Sequence, residues 1–244
     1  MRVVGVIPCR LKSARLPSKA LLIIDSLPLI VHTMKRAQLA KSLDDVYVCT
    51  DSEEIANVVH SHGGKSIMTK PEHTNGTERI AEAAKSLKAD LFVNIQGDEP
   101  LVSPNHIESV IAEHVKHPEW DIIVPSLPIA RPENPHIVKI VHDVNYRIIF
   151  MSRAVIPQPF SYRPGFFLKH LSVITFKPEA LQRYASLKPS PLQTSESIEL
   201  LRALENGMVL GTILLEGDSI SVDIREDYAR AKVLMLTDDV RKLY

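Results

Sequence analysis

Arg10, Lys12, Arg15 and Lys19 are spaced through one stretch, Ile7 to Lys19, that contains no glycine. Residues 1–24 also contain Arg2 and no acidic side chain, although the whole chain balances 29 Lys plus Arg against 29 Asp plus Glu. That local excess points to an anion, and a nucleoside triphosphate suits several cations on one loop. A Walker loop or a dinucleotide fingerprint needs glycine to bring backbone amides onto phosphate, so side-chain charge would do that work here. The other reading of the stretch is a solvated basic loop. Its place favours the ligand: it follows the apolar, β-branched run Val3 to Ile7, and open α/β sheets bind ligands beyond the carboxyl ends of their strands.

A second group of candidates carries negative charge. Asp98, in Gln96-Gly97-Asp98-Glu99-Pro100, follows the apolar run ending at Ile95. A carboxylate there, beside a phosphate loop, has the position of a magnesium ligand, or is a turn aspartate before proline. Magnesium takes one or two protein carboxylates and fills its other positions with phosphate oxygen and water. Asp223 could be the second, and it equally matches a helix capping box with Glu226. Thr74-Asn75-Gly76-Thr77-Glu78-Arg79 puts backbone amides and a hydroxyl at a helix start, suitable for a base edge or a phosphate. Arg153 reads either as a bidentate clamp on a substrate carboxylate or as a surface ion pair. His170 lies within a predicted strand, where core packing is the commoner role. Glu196 and Glu199 fall on one face of a predicted helix, suited to sugar hydroxyls or to the positive end of the helix dipole. No zinc spacing and no serine elbow occur.

The elements that would position these groups alternate. Strands are expected at Val3 to Ile7, Val46 to Thr50, Ile67 to Thr69 and Asp90 to Ile95, separated by helices from Pro28, Glu54 and Glu78, which predicts a parallel sheet. A helix follows Ser103-Pro104. Prolines 125, 128, 132 and 135 then exclude helix, and Val138 to Val141 with Arg147 to Met151 flank a turn and read as a hairpin. Leu168 to Phe176 reads as one strand, Pro178 to Leu187 and Ser195 to Asn206 as helices, Val209 to Leu214 and Ser219 to Val222 as strands, and a helix closes after Asp223. The expected fold is α/β: a mostly parallel central sheet with helices on both faces and a projecting β-hairpin. One domain over 1–244 is expected, with the excursion at about 125–170 as the dimer contact.

Composition sets bounds. At 244 residues, 45% hydrophobic and 24% charged, the chain is long enough for a sizeable core and ordinary for a globular protein. Balanced charge offers no field for nucleic acid or anionic membrane. No apolar run nears the roughly 20 residues of a membrane helix. Two cysteines near strand ends and no signal segment fit a reducing cytoplasm.

In order, these motifs closely resemble the 3-deoxy-manno-octulosonate (Kdo) cytidylyltransferases. The family's opening I-P-A-R-x-x-S-x-R-L-P-x-K is met by Ile7 to Lys19, with Cys9 replacing alanine. T-D is met by Thr50-Asp51, S-G-T-D-R by Asn75 to Arg79 with two substitutions, and Q-G-D-E-P by Gln96 to Pro100. S-R is met by Ser152-Arg153, and V-D-x-x-E-D by Val222 to Asp227. The resemblance implies a nucleotide-diphospho-sugar transferase fold, usually homodimeric. The implied reaction is Mg2+-dependent transfer of CMP from CTP to the anomeric hydroxyl of a 2-keto sugar acid, with release of pyrophosphate. It implies that Arg10, Ser13, Arg15 and Lys19 meet the triphosphate, and that Asn75, Thr77, Arg79 and Gln96 surround the cytidine. Asp98 and Asp223 would hold magnesium, Lys19 would stabilise the leaving pyrophosphate, and Arg153, His170 and Glu196 would face the sugar acid. The product would feed a glycan such as lipopolysaccharide.

Departures fall where the sugar is read. The family's H-[IL]-G-[IL]-Y becomes His170-Leu171-Ser172-Val173-Ile174, and E-x-x-E-x-x-E-Q-L-R becomes Gln193, Glu196, Glu199, Leu200, Leu201 and Arg202. An unsatisfied buried polar group costs roughly 1–3 kcal/mol, so an altered octulosonate or a nonulosonate is expected over unmodified Kdo. A non-catalytic nucleotide or sugar-acid sensor is the alternative, disfavoured by the paired metal carboxylates. A uridylyl- or guanylyltransferase would open on a glycine-rich loop, which is absent.

Overall fold

The computed structural model describes residues 1–13, 15–162 and 164–244; Ala14 of the basic loop and Arg163 of the loop before Phe167 lie outside the described residues. The chain divides into two compact units, Met1–Ser109 with Ser219–Tyr244, and Val110–Asp218.

In the first unit, parallel strands lie in the order Leu91–Ile95, Val3–Cys9, Asp45–Thr50 and Lys65–Met68. Every residue of Val3–Cys9 is buried. Since successive side chains point to opposite faces, both faces of this strand are covered. The helices Leu29–Gln38 and Gly76–Ala84 both pack on it. Helix starts follow local chemistry: Ser52 accepts from the Ile55 amide ahead of Glu53–Ser61, and Asn75 accepts from the Glu78 amide ahead of Gly76–Ala84. The first of these helices ends at Gly63, whose φ of 75° suits glycine. The expected strand at Ser219 to Val222 is not formed; a single bond from the Val222 amide to the Asp98 carbonyl, 2.9 Å, takes its place.

In the second unit, Ile122–Ile123 pairs parallel with Leu210–Gly211 and antiparallel with Val173–Phe176. The proline-rich excursion is more regular than its sequence suggests. Antiparallel strands run in the order Ile148–Ser152, Lys139–His142, Phe167–His170 and Ser126–Ile129. Pro128 is tolerated because its strand is at the sheet edge. The hairpin is present as expected, with Tyr146 at φ 60°.

Two expected elements are broken. The run Leu168 to Phe176 is two strands, Phe167–His170 and Val173–Phe176, in different sheets; between them Leu171 is buried with Trp120, Ile123 and Leu127. The expected helix Ser195 to Asn206 is instead Pro191–Glu196 and Leu201–Glu205, interrupted at Ser197, which is left-handed at φ 52°. Glu196 and Glu199 therefore do not share a helix face. The fold as a whole is a mixed, mostly parallel sheet with helices and a small antiparallel sheet. No helix among the described residues is long and apolar enough to cross a membrane.

Candidate active site

The strand Leu91–Ile95 ends in the turn Gln96 to Glu99, closed by the Glu99 amide on the Gln96 carbonyl at 3.2 Å. Gly97 is required there, since a Cβ would lie 2.7 Å from the Pro8 carbonyl oxygen. This close approach brings Asp98 to the end of the first strand. Asp223 arrives from far along the chain: besides the Val222 to Asp98 backbone bond, the Ser221 hydroxyl donates to Glu99 Oε1 at 3.0 Å. The Asp227 carboxylate accepts from the amides of Asp223 at 3.0 Å and Ile224 at 3.1 Å. The capping acceptor at this helix start is thus Asp227, a residue that sequence reasoning passed over for Glu226. Asp223 keeps its own carboxylate for cations.

Those cations come from the basic loop. Lys19 Nζ donates to Asp98 Oδ2 at 2.7 Å and to Asp223 Oδ1 at 3.0 Å, and Arg15 Nη2 lies 3.1 Å from the same Asp223 oxygen. Burial alone would push the Asp223 carboxyl up, but Lys19 and then Arg15 outweigh it and hold the group below the usual range. Lys19 is opposed by its own burial, and Asp98 and Asp223 raise it regardless. One cation thus touches an oxygen of each carboxylate at once, and hard oxygen donors are what magnesium prefers, so the pair fits a divalent cation. No group of three or more His, Cys, Asp or Glu side chains that could hold a metal occurs among the described residues. Cys9 is no nucleophile here: burial, then Asp98, push its thiol up to about 12.

The loop is anchored by Leu16, buried with Ile24, Leu29, Val222, Ala231 and Met235. Arg10 and Lys12 are exposed and Ser13 is half-buried. The Asn75 turn joins them: a Cβ on Gly76 would stand 3.2 Å from Pro8 and 3.5 Å from Gln96 Nε2, so the turn, Gln96 and the end of the first strand are neighbours. Thr77 is buried. Arg79 is buried behind the turn, donating to Thr69 Oγ1 at 2.6 Å and to the Lys70 carbonyl at 3.3 Å, with Asp51 at 3.5 Å.

The second unit gathers Arg153, Glu196 and His170. Arg153 is neither an empty clamp nor a surface ion pair. Its guanidinium donates to the carbonyls of Glu196 (2.8 Å), Pro135 (3.2 Å), His136 (3.3 Å) and Ser197 (3.2 Å). Of five N–H donors, one has no partner among the described residues. Glu196 accepts from the Ser152 hydroxyl at 2.6 Å and the Arg153 amide at 2.8 Å. These bonds explain the helix break, because Arg153 takes the Glu196 and Ser197 carbonyls outward. Beside it, buried Lys139 donates to the carbonyls of Asn134, Ile137 and Arg153, so four successive carbonyls, 134 to 137, face two cations. Lys139 was invisible in sequence except as a lysine in an apolar strand. Burial, then the Arg153 charge, push His170 down to about 4, so it is neutral at pH 7.

Cations on a loop at a strand end, with two carboxylates able to share a divalent ion, can stabilise charge developing at a phosphorus centre. The comparisons agree with that chemistry. A family model described as Cytidylyltransferase matches residues 4–214. A 3-deoxy-manno-octulosonate cytidylyltransferase from Chlorobium limicola is 41% identical over 233 residues, covering 93% of this chain and 94% of its own. One from Leptospira biflexa is 36% identical over 230 residues, covering 93% of each. A solved structure of CMP:2-keto-3-deoxy-manno-octonic acid synthetase complexed with CTP has a TM-score of 0.93 at 31% identity, over 97% of this chain and 99% of that one.

Proposed function

The chain belongs to the cytidylyltransferase family, beside 3-deoxy-manno-octulosonate cytidylyltransferases, and we propose that it transfers CMP from CTP to the anomeric hydroxyl of Kdo or a Kdo-like 2-keto acid. The oxygen of that hydroxyl bonds to the α-phosphorus as the bond to pyrophosphate breaks, and the hydroxyl proton leaves to solvent. The observation that carries this reading is the Asp98–Asp223 pair held on one cation of the basic loop. Both compact units make one cytidylyltransferase domain in this reading, and the family match across residues 4–214 supports it.

Arg10, Ser13, Arg15 and Lys19 hold the triphosphate, and Lys19 neutralises the departing pyrophosphate. Asn75, Thr77 and Gln96 line the cytidine, with Arg79 fixing the turn from behind. Asp98 and Asp223 would hold a divalent metal, which we take to be Mg2+ and which would supply Lewis-acid stabilisation of phosphate charge and acidify the attacking hydroxyl. No side-chain base is then required. The Arg153 N–H that has no partner among the described residues, neutral His170 and the Glu196 segment are the groups for the sugar acid. The buried free thiols of Cys9 and Cys49 support a cytoplasmic setting.

The sugar is an altered acid in this proposal. Ile174 and Leu200, at positions where the family carries tyrosine and glutamine, are buried and apolar. Gln193 Oε1 is turned to Arg202 Nε at 2.8 Å. A sugar site that lacks those polar groups would leave a Kdo hydroxyl unpaired, at about tenfold for each 1.4 kcal/mol. Pyrophosphate release with CTP should therefore show an amino- or deoxy-octulosonate, or a nonulosonate, with kcat/KM at least about tenfold above Kdo. A clear preference for Kdo overturns this refinement; silence with every acid while CTP still binds favours a sensor.

A homodimer through the hairpin completes the proposal, supported by exposed Val144, Tyr146 and Ile149. Light scattering should give twice the chain mass for the wild type, and Val144→Lys with Ile149→Lys should shift it to the monomer. An unchanged dimer in that variant would place the contact elsewhere.

A further inference from the structure

Lys19 does two things in the site that do not fit one moment. Its ammonium is seated between Asp98 and Asp223, at 2.7 and 3.0 Å, in the place that the divalent cation of the proposed function requires. The same ammonium is needed on the phosphates. We propose that Lys19 is the resident counter-cation of the carboxylate pair, and that a nucleoside triphosphate draws it off, so that metal entry is tied to nucleotide arrival. The inference rests on the reading of Asp98 and Asp223 as metal ligands.

The geometry supports a swing of the side chain on a fixed backbone. Lys19 opens a short 3-10 turn, Lys19–Leu21, after left-handed Ser18. Its neighbours Leu16 and Ala20 are buried at 6% and 4% exposure, which pins the main chain. The lysine head is a compact point charge on a flexible four-carbon stem, and it is 17% exposed. Two carboxylates brought together without a cation repel one another, and the single backbone bond from Val222 to Asp98 and the Asp227 cap hold Asp223 beside Asp98 whatever the cation is. Arg15 cannot take the seat alone, since it reaches only Asp223 and its side chain is 60% exposed. A polyphosphate competes for Lys19 with like charge, and the oxygens it frees are those the metal needs. Coupling of this kind is reciprocal, typically 5- to 150-fold.

The test uses Mn2+ as the probe on the full chain, with affinity read by electron paramagnetic resonance in the absence of nucleotide. Lys19→Gln should bind Mn2+ on the order of tenfold more tightly than the wild type, whereas Lys19→Arg, which keeps the charge, should remain as weak as the wild type. Asp98→Asn should lower Mn2+ affinity in either background. Lys19→Gln no tighter than the wild type, with the Asp98→Asn loss intact, overturns the counter-cation and leaves the metal ligands standing. Mn2+ binding that Asp98→Asn and Asp223→Asn do not change overturns both. A second readout needs no variant in the tested sample: in 15N-lysine-labelled protein, with metal omitted, CTP should move the Lys19 ammonium resonance. A resonance that CTP leaves in place at saturation overturns the proposal.

Discussion

Asp98→Asn and Asp223→Asn should each lower the rate of pyrophosphate release from CTP by about 10²–10³-fold, with the far-ultraviolet circular dichroism unchanged. Asparagine keeps the shape and removes the charge, so the fold has little reason to respond. The site should respond strongly, because in the proposed function both carboxylates would hold the divalent cation, as both hold Lys19 in this structure. The double variant should be scarcely worse than either single one, since groups that act as a unit are not additive. Chelation of divalent metal should bring the wild type to the level of the variants and leave the variants where they are. A single variant within about tenfold of the wild type would remove the pair from the centre of the mechanism.

Arg79→Met should destabilise the protein by about 3 kcal/mol, seen as a lower midpoint of urea unfolding with an unchanged slope. The cause is what the arginine leaves behind. Its guanidinium is buried against Thr69, the Lys70 carbonyl and Asp51. Asp51 Oδ1 already lacks a hydrogen-bond partner among the described residues, so deletion of the arginine strands a carboxylate. Asp51 follows the strand Asp45–Thr50, whose last residue is completely buried, and its own side chain is only 20% exposed, so water replaces the arginine only in part. A variant of wild-type stability with a raised KM for CTP would instead make Arg79 a direct nucleotide contact.

Much of this was legible in the chain itself. The apolar runs at Val3 and Leu91 are buried strands because burial on both faces leaves no room for alternation. Ser52 and Asn75 cap their helices because a short side-chain oxygen beside free amides needs no tertiary help. The basic loop, Asp98 and the family all follow from residue types at fixed short spacings. What needed the tertiary structure was everything set by partners remote in sequence. Leu168 to Phe176 carries a single strand's pattern, and only the burial of Leu171 with Trp120, Ile123 and Leu127 divides it. Ser195 to Asn206 has helical spacing, and it breaks because Arg153, distant in the chain, binds the Glu196 and Ser197 carbonyls more favourably than another helical turn would. Asp227 rather than Glu226 caps the last helix because that helix starts one residue later than the sequence suggests, with Ile224 at its cap position and Asp227 three residues on. The sequence determined by itself which residues could do the chemistry. Only the fold decided which of them meet, because burying Leu16 and Val222 in one apolar cluster is what carries Lys19 and Asp223 to the same cation seat.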